Sequence, residues 1–275
     1  MSLTPAQIDR YRRDGYLSPL VAFDATRARV ERDRLEDGER RFGLPPERRR
    51  KMHLYLRWVD RIVREPRVLD AVESLIGPDI LVYHLTLWTK EPRTDAFVSW
   101  HQDSTYFGLD PADAHVTAWV ALSRSDLESG CVRVVPGSHL DGQVSHGVER
   151  HAANLFPTGQ TLEVPEGTPT DTMVLAPGEF SLHHTFLHHH SMPNRSDDRR
   201  IGLGISYVPT RCRCVARERL SATLVRGVDR FGHFDLDPAP VEDFDPRALE
   251  VHREAMRRWQ AARDELIPRA HGEAA

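Results

Sequence analysis

His101, Gln102 and Asp103 set an imidazole and a carboxylate two positions apart. On an extended strand, residues i and i+2 project to one face, so a ring nitrogen and a carboxylate oxygen could converge on one metal ion. Alone the pattern is weak, because a chain with 15 histidines and 41 acidic residues produces such pairs by chance. A second cluster strengthens it. His183, His184, His188, His189 and His190 crowd one short segment, followed by Ser191-Met192-Pro193-Asn194-Arg195-Ser196-Asp197-Asp198-Arg199-Arg200. Such a run could be a polar patch or a loose zinc-binding tract. Here it sits in a strand–turn–strand pattern, with Pro193-Asn194 and Ser196-Asp197-Asp198 as the turn. Two histidines and one carboxylate on one face of an iron(II) ion make the facial triad, which leaves positions open for a co-substrate and oxygen.

A keto acid that chelates iron and carries a second carboxylate needs a cation at its far end. The planar fork of arginine binds a carboxylate through two parallel bonds. Along Arg200–Tyr207, alternation puts Arg200, Gly202, Gly204 and Ser206 on one face and Ile201, Leu203, Ile205 and Tyr207 on the other. The first face carries one cation beside small residues, with room for a ligand, and the second can pack. The competing reading makes Arg200 a surface cation on an edge strand.

Short apolar or alternating runs separated by Pro, Gly and Asp supply the strands that hold these residues: Ile80–Trp88, His115–Leu122, Cys131–Val135, Thr172–Leu175, Glu179–His188 and Arg200–Val208. The spacing predicts a β-sandwich or barrel and not βαβ units. Long connections such as His139–Thr170 suit a jelly roll. Helices flank it. Thr4, Pro5 and Gln7 form a capping signature. Asp24–Phe42 ends at Gly43, Pro66–Gly77 has an apolar face, and Pro246–Ile267 reads as a terminal helix. The expected organisation is one domain over 1–275: a mostly helical part (1–78), a jelly-roll core (79–210) and a C-terminal extension (211–275).

Composition excludes several classes. Hydrophobic residues are 40% and charged residues 28%, which suits a folded globular chain. No apolar run approaches the roughly 18–20 residues of a membrane span, and the first residues lack a signal-peptide pattern. A cytoplasmic enzyme is the expectation. The net charge of −4 argues against nucleic acid as a partner. Cys131, Cys212 and Cys214 read as reduced thiols. Lys51 and Lys90 are the sole lysines among 37 basic residues, a hint that each has a task. Oligomeric state is not legible.

Taken together, Trp100-His101-Gln102-Asp103, Val116-Thr117-Ala118-Trp119, Glu128-Ser129-Gly130-Cys131 leading to Pro136-Gly137-Ser138-His139, and His189 to Arg200 resemble the phytanoyl-CoA dioxygenase family of Fe(II)/2-oxoglutarate oxygenases over roughly Leu75–Thr210. The resemblance implies a double-stranded β-helix (jelly-roll, cupin-like) barrel. It also implies hydroxylation of an unactivated C–H bond of a small molecule, with 2-oxoglutarate and O2 converted to succinate and CO2. His101 and Asp103 match the first two iron ligands. The family places serine two, asparagine five and arginine eleven positions after the distal histidine. Ser191, Asn194 and Arg200 then point to His189, with His190 as second choice. Arg200, Ser191 and Trp119 match co-substrate contacts, and Lys51 is a further candidate for one. In related halogenases a small residue replaces the carboxylate, so Asp103 favours hydroxylation over halogenation.

His84, His183 and His184 could orient metal ligands or face a substrate. Substrate selectivity is expected from Ser104–Asp110, Asp141–Thr170 and Arg211–Phe234. Two other functions compete: a zinc-dependent hydrolase on the same His/Asp/His set, which leaves Arg200 without a role, and a non-catalytic metal-binding jelly roll.

Overall fold

The computed structural model describes residues 2–156 and 159–270. Met1, 157–158 and 271–275 lie outside the described residues; they include both ends of the expected 1–275 domain and two positions of the expected Asp141–Thr170 segment.

Five helices are present: α1 (Pro5–Asp14), α2 (Ala25–Phe42), α3 (Arg57–Val63), α4 (Pro66–Ile76) and α5 (Pro246–Ala270). The strands are β1 (Tyr16–Val21), β2 (Ile80–Lys90), β3 (Val98–His101), β4 (Leu109–Asp110), β5 (Val116–Ala121), β6 (Val132–Val134), β7 (Gly147–Val148), β8 (Gln160–Thr161), β9 (Asp171–Met173), β10 (Glu179–His184), β11 (His189–Ser191), β12 (Arg200–Pro209), β13 (Arg213–Cys214), β14 (Ser221–Arg226) and β15 (Asp235–Leu236).

Helix starts follow the local chemistry. The Thr4 side chain accepts from the Gln7 backbone N–H while the Gln7 side chain accepts from the Thr4 N–H, which satisfies two helix-end donors of α1. Asp24 caps α2 by accepting from the Arg27 N–H. In α4, Val68, Leu69, Val72 and Ile76 are buried at helical spacing.

The large sheet has the order β1-β10-β5-β12-β2-β14-β15 and the smaller one β3-β11-β6-β9. Successive pairs of core strands therefore alternate between sheets: β2 in the large, β3 in the small, β5 in the large, β6 and β9 in the small, β10 in the large, β11 in the small, β12 in the large. That is the jelly-roll connection pattern, with β1, β14 and β15 widening one sheet. One face of the large sheet, including Ile201, Leu203, Ile205 and Tyr207, packs with apolar residues of α1 to α4. The other face meets the small sheet through Trp119, Ala121, Val132, Val134, Met173 and Leu175. β12 lies between β2 and β5, and every one of its residues is buried, so the edge-strand reading of Arg200 fails.

Strands β1, β3, β4, β7, β8, β13, β14 and β15 and helix α3 were not among the expected elements. Asp103 is not on a strand; it opens a 3-10 turn, Asp103–Tyr106, directly after β3. Gln102 keeps an extended backbone (φ −116°, ψ 139°), so His101 and Asp103 still share a face. All three cysteines are free thiols.

Candidate metal centre

β3 and β11 pair so that His101 and His189 lie directly across from each other. Each ring is fixed by its own backbone: His101 Nδ1 lies 2.9 Å from the Ser99 carbonyl and His189 Nδ1 2.9 Å from the Leu187 carbonyl. A carbonyl oxygen only accepts, so both Nδ1 atoms carry the proton and both Nε2 lone pairs are free. Those Nε2 atoms stand 3.6 Å (His101) and 3.7 Å (His189) from Asp103 Oδ1. The ligand atoms of the three residues lie within 4.8 Å of one another.

The other carboxylate oxygen is held from behind. Asp103 Oδ2 accepts from Thr117 Oγ1 at 2.6 Å and from His183 Nε2 at 3.1 Å. Since Thr117 donates its proton to Asp103, its oxygen accepts from His115 Nε2 at 3.2 Å, and His115 Nδ1 in turn accepts from Thr185 Oγ1 at 2.8 Å. This chain requires a neutral His115, and burial pushes its pKa down to about 4. Burial raises the pKa of Asp103, but His189, His101 and His183 outweigh that and hold it well below the usual carboxylate range. Burial, then the neighbouring His101, drives His189 well below its ordinary value. Neutral imidazole and ionised carboxylate are the states a metal needs.

Sequence left several histidines in competition, and the structure separates them. His190 stacks on Trp100 with ring centroids 3.8 Å apart, and burial, then Arg133, lowers its pKa to about 4. His184 packs against Tyr11, His139 and Phe186, away from the triad. His84 stacks on Trp259 with centroids 4.6 Å apart. Of the flanking histidines, His183 is the one that reaches Asp103, from the adjacent strand β10.

Beside the triad a small cavity of about 50 Å³ is bounded by Trp88, Trp119, Ser191 and Arg200. Arg200 is 1% exposed. It donates from Nη1 to the Gly130 carbonyl at 2.9 Å, lies 5.3 Å from the Trp119 ring centroid, and has no partner at Nε. No residue but glycine suits position 130, where φ is +71° and a Cβ would meet the Met192 carbonyl at 2.1 Å. Lys90, paired in register with Arg200, is also 1% exposed. Its Nζ donates to Ser191 Oγ at 2.7 Å and to the Met192 carbonyl. Burial lowers Arg200 to about 10; burial, then Arg200, lowers Lys90 to about 6. Among the described residues no carboxylate pairs with either cation. A buried guanidinium without an acid and with an orphaned donor, beside a buried amine that an arriving anion would protonate, forms a receptor for an anion. The residues therefore fit a metal chelated by a keto acid with a second carboxylate.

Two expectations change. Gly202 makes room for a ring and not directly for a ligand, whereas Gly204 abuts Trp88 and also lines both cavities. A Cβ at 202 would lie 2.1 Å from the Trp119 ring, and one at 204 would lie 3.0 Å from Trp88 Nε1. Lys51 is not brought to the site. Its backbone N–H bonds the Leu85 carbonyl, and its Nζ runs to the Ser221 carbonyl at 2.8 Å, 4.0 Å from Asp237 Oδ2. Lys90, whose position in the register sequence alone did not reveal, is the lysine beside Arg200.

A larger cavity of about 360 Å³ adjoins the first, and both are bounded by Trp88, Asp103, Thr117 and Gly204. Ser104–Asp110 contributes Phe107 to it, and Asp141–Thr170 contributes Asn154, Leu155, Phe156 and Gln160. Arg211–Phe234 contributes nothing; Arg211 bonds the Ile76 carbonyl and Arg213 bonds Asp110. Its place is taken by Arg49 and Arg50, and by Trp259 and Arg263 of α5.

The phytanoyl-CoA dioxygenase (PhyH) family model matches residues 3–202. The chain belongs to the phytanoyl-CoA dioxygenase family. It is 28% identical over 190 residues to a probable phytanoyl-CoA dioxygenase of Caenorhabditis elegans, covering 64% of this chain and 61% of that relative. The chain thus spans about three-fifths of the length of this curated relative. Among solved structures it is similar to a non-heme monooxygenase, ThoJ, with 31% identity and a TM-score of 0.84 over 95% of this chain and 99% of that one. It shares the fold of CytC3 with Fe(II) and alpha-ketoglutarate, at 21% identity and a TM-score of 0.68 over 89% and 96% of the two chains. The PhyH match ends inside β12, so α5 and its side chains in the larger cavity lie beyond it. No helix among the described residues is long and apolar enough to cross a membrane.

Proposed function

We propose that the chain acts as one Fe(II)/2-oxoglutarate-dependent oxygenase domain. It hydroxylates a C–H bond of a small molecule and converts 2-oxoglutarate and O2 to succinate and CO2. The reading includes a cytoplasmic location. The observation that carries it is the pairing of a His101/Asp103/His189 donor set, both imidazoles buried, with a buried, acid-free Arg200. Family membership and the fold shared with CytC3 support it.

In this reading His101, Asp103 and His189 hold the iron. Arg200, helped by Ser191 and bordered by Trp119, takes the far carboxylate of 2-oxoglutarate. Bound iron and keto acid supply the oxidising chemistry. The chain's own side chains do the positioning. Thr117 and His183 fix Asp103 Oδ2 and so aim Oδ1 at the two imidazoles. Lys90 occupies Ser191 Oγ as a donor, so the serine proton is available to the carboxylate beside it. Phe156, its ring centroid 4.4 Å from that of His101, shields the metal ligands from water. A zinc hydrolase gives no role to a buried, acid-free Arg200 with Lys90 beside it.

The test is an anaerobic visible titration with iron(II) and then 2-oxoglutarate, on wild type and Arg200→Ala. The expected result is a weak charge-transfer band that needs both additions. In the variant the 2-oxoglutarate midpoint should rise at least about a hundredfold, since stranding a buried charge costs roughly 3 kcal/mol or more. Metal binding without any band in wild type would remove the keto acid.

A further inference from the structure

The larger cavity carries its own charge pattern. Its wall is mostly apolar and aromatic, with Leu87, Trp88, Phe107, Leu155 and Phe156 among the lining residues. Arg50 and Arg263 lie at one part of it, each with its guanidinium carbon 5.4 Å from the Trp259 ring centroid. Asp103 is the single acidic residue among those described in the lining, and it belongs to the triad.

Arg50 lacks the partners that many arginines of this arginine-rich chain have. Arg49 donates to the Leu44 carbonyl and Thr89 Oγ1 and approaches Glu39 at 3.8 Å. Arg32 meets Asp198, and Arg199 meets Glu39. The Arg50 side chain makes no hydrogen bond or ion pair among the described residues, although it is half-buried. Burial, followed by repulsion from Arg263, pulls its pKa down. Two guanidinium groups held beside one indole repel each other, Glu47 offsets this only in part at Arg50, and an anion between the two would be held by both. The aromatic wall, meanwhile, suits an apolar skeleton.

We propose that the larger cavity binds a small organic acid, with Arg50 and Arg263 holding its anionic group at Trp259 and its apolar or aromatic skeleton extending toward Asp103. A cavity of about 360 Å³ sits at the small end of ligand pockets, which matches a compact acid. The assignment rests on reading this cavity as the substrate chamber of the proposed oxygenase. Arg50 lies inside the PhyH match, and Arg263 belongs to α5, beyond it.

Calorimetry with two matched pairs tests it: 2-naphthoate against 2-naphthamide, and octanoate against octanamide. The protein is loaded with nickel(II), which does not turn over, and with saturating 2-oxoglutarate to fill the smaller cavity. At least one acid should bind about tenfold or more tightly than its amide in wild type. Arg50→Gln should reduce that preference to within about twofold, with partial rescue by Arg50→Lys. Nickel affinity reports whether each variant is folded; should Arg50→Gln fail it, Arg263→Gln carries the same expectation. No acid preference in either pair overturns the proposal. So does a preference that survives Arg50→Gln but disappears in Arg200→Ala, because the acid would then sit in the smaller cavity. Failure of the oxygenase reading looks different: 2-oxoglutarate would not bind, while nickel-only protein would keep an acid preference that depends on Arg50.

Discussion

The chamber around Arg200 and the chamber around Arg50 meet at Trp88, Asp103, Thr117 and Gly204, yet only the larger adds segments from outside the core strands to its wall. The smaller is made almost wholly from core strands β2, β3, β5, β6, β10, β11 and β12 and the turn after β3, and most of its polar groups have partners that fix their direction. The larger shares β2, β5 and β12 with it, through residues such as Leu87, Thr117 and Ser206, and adds residues from the segment before α3, from the long connection after β6, and from α5. A rigid sheet thus carries the groups whose geometry chemistry constrains, and peripheral segments shape the space where a substrate would lie.

If the smaller chamber works as a set of fixed donors, replacing a ligand should have the largest effect. His189→Ala or Asp103→Ala is expected to lower turnover by at least about a thousandfold and to abolish stoichiometric iron binding. His190→Ala should keep its iron, because that ring stacks on Trp100. Metal content and succinate formation measured side by side check this. An inactive His190→Ala beside an active His189→Ala would reverse the assignment. Arg200→Ala comes next, with the hundredfold loss of 2-oxoglutarate affinity given above and with metal retained.

Thr117→Val is a subtler break. The two side chains have similar shapes, so the change removes the hydrogen bond to Asp103 Oδ2 and leaves His115 Nε2 without its acceptor. Loss of such a supporting contact typically costs about 10- to 100-fold in metal affinity or activity. The expected result is weaker iron(II) binding in that range, with a 2-oxoglutarate midpoint close to wild type once iron is saturating. Equal losses in both would show that Thr117 acts on the chamber as a whole.

The same division governs what could be read in the sequence. Strand β12 was legible because Ile201, Leu203, Ile205 and Tyr207 alternate with Arg200, Gly202, Gly204 and Ser206, and period two is a local signal. The nearness of His101 to His189 followed from the family resemblance, even though Asp103 turned out to open a turn. The two lysines show the limit. Their rarity marked both, but only the β2–β12 register sets Lys90 beside Arg200, and register is a tertiary fact. His183 was one of three histidines open to orienting a metal ligand, and Thr117 stood in a motif without a role; both reach Asp103 because β5 and β10 are neighbours in the large sheet. Helix α5 was visible as a helix, whereas its docking of Trp259 and Arg263 at the larger cavity depends on long-range packing.

Lys90 offers the smallest and most specific test of the smaller chamber. Without an anion nearby it titrates at about 6, displaced from 10.5 by burial and then by Arg200. A carboxylate arriving beside Ser191 favours the ammonium form and raises that value. Below pH 6 Lys90 is protonated with or without 2-oxoglutarate, so affinity should be flat. Above pH 6 the free protein has lost the proton that the complex retains, so binding takes one up and affinity falls as pH rises, by up to about tenfold per pH unit until the raised pKa is reached. Lys90→Met should remove this slope and weaken binding near pH 6 by less than Arg200→Ala does, because Arg200 keeps its own donors. Dissociation constants from pH 5.5 to about 9 on both proteins decide it: a slope that persists in Lys90→Met belongs to another group, and Lys90 would then be an anchor for Ser191 and the Met192 carbonyl alone.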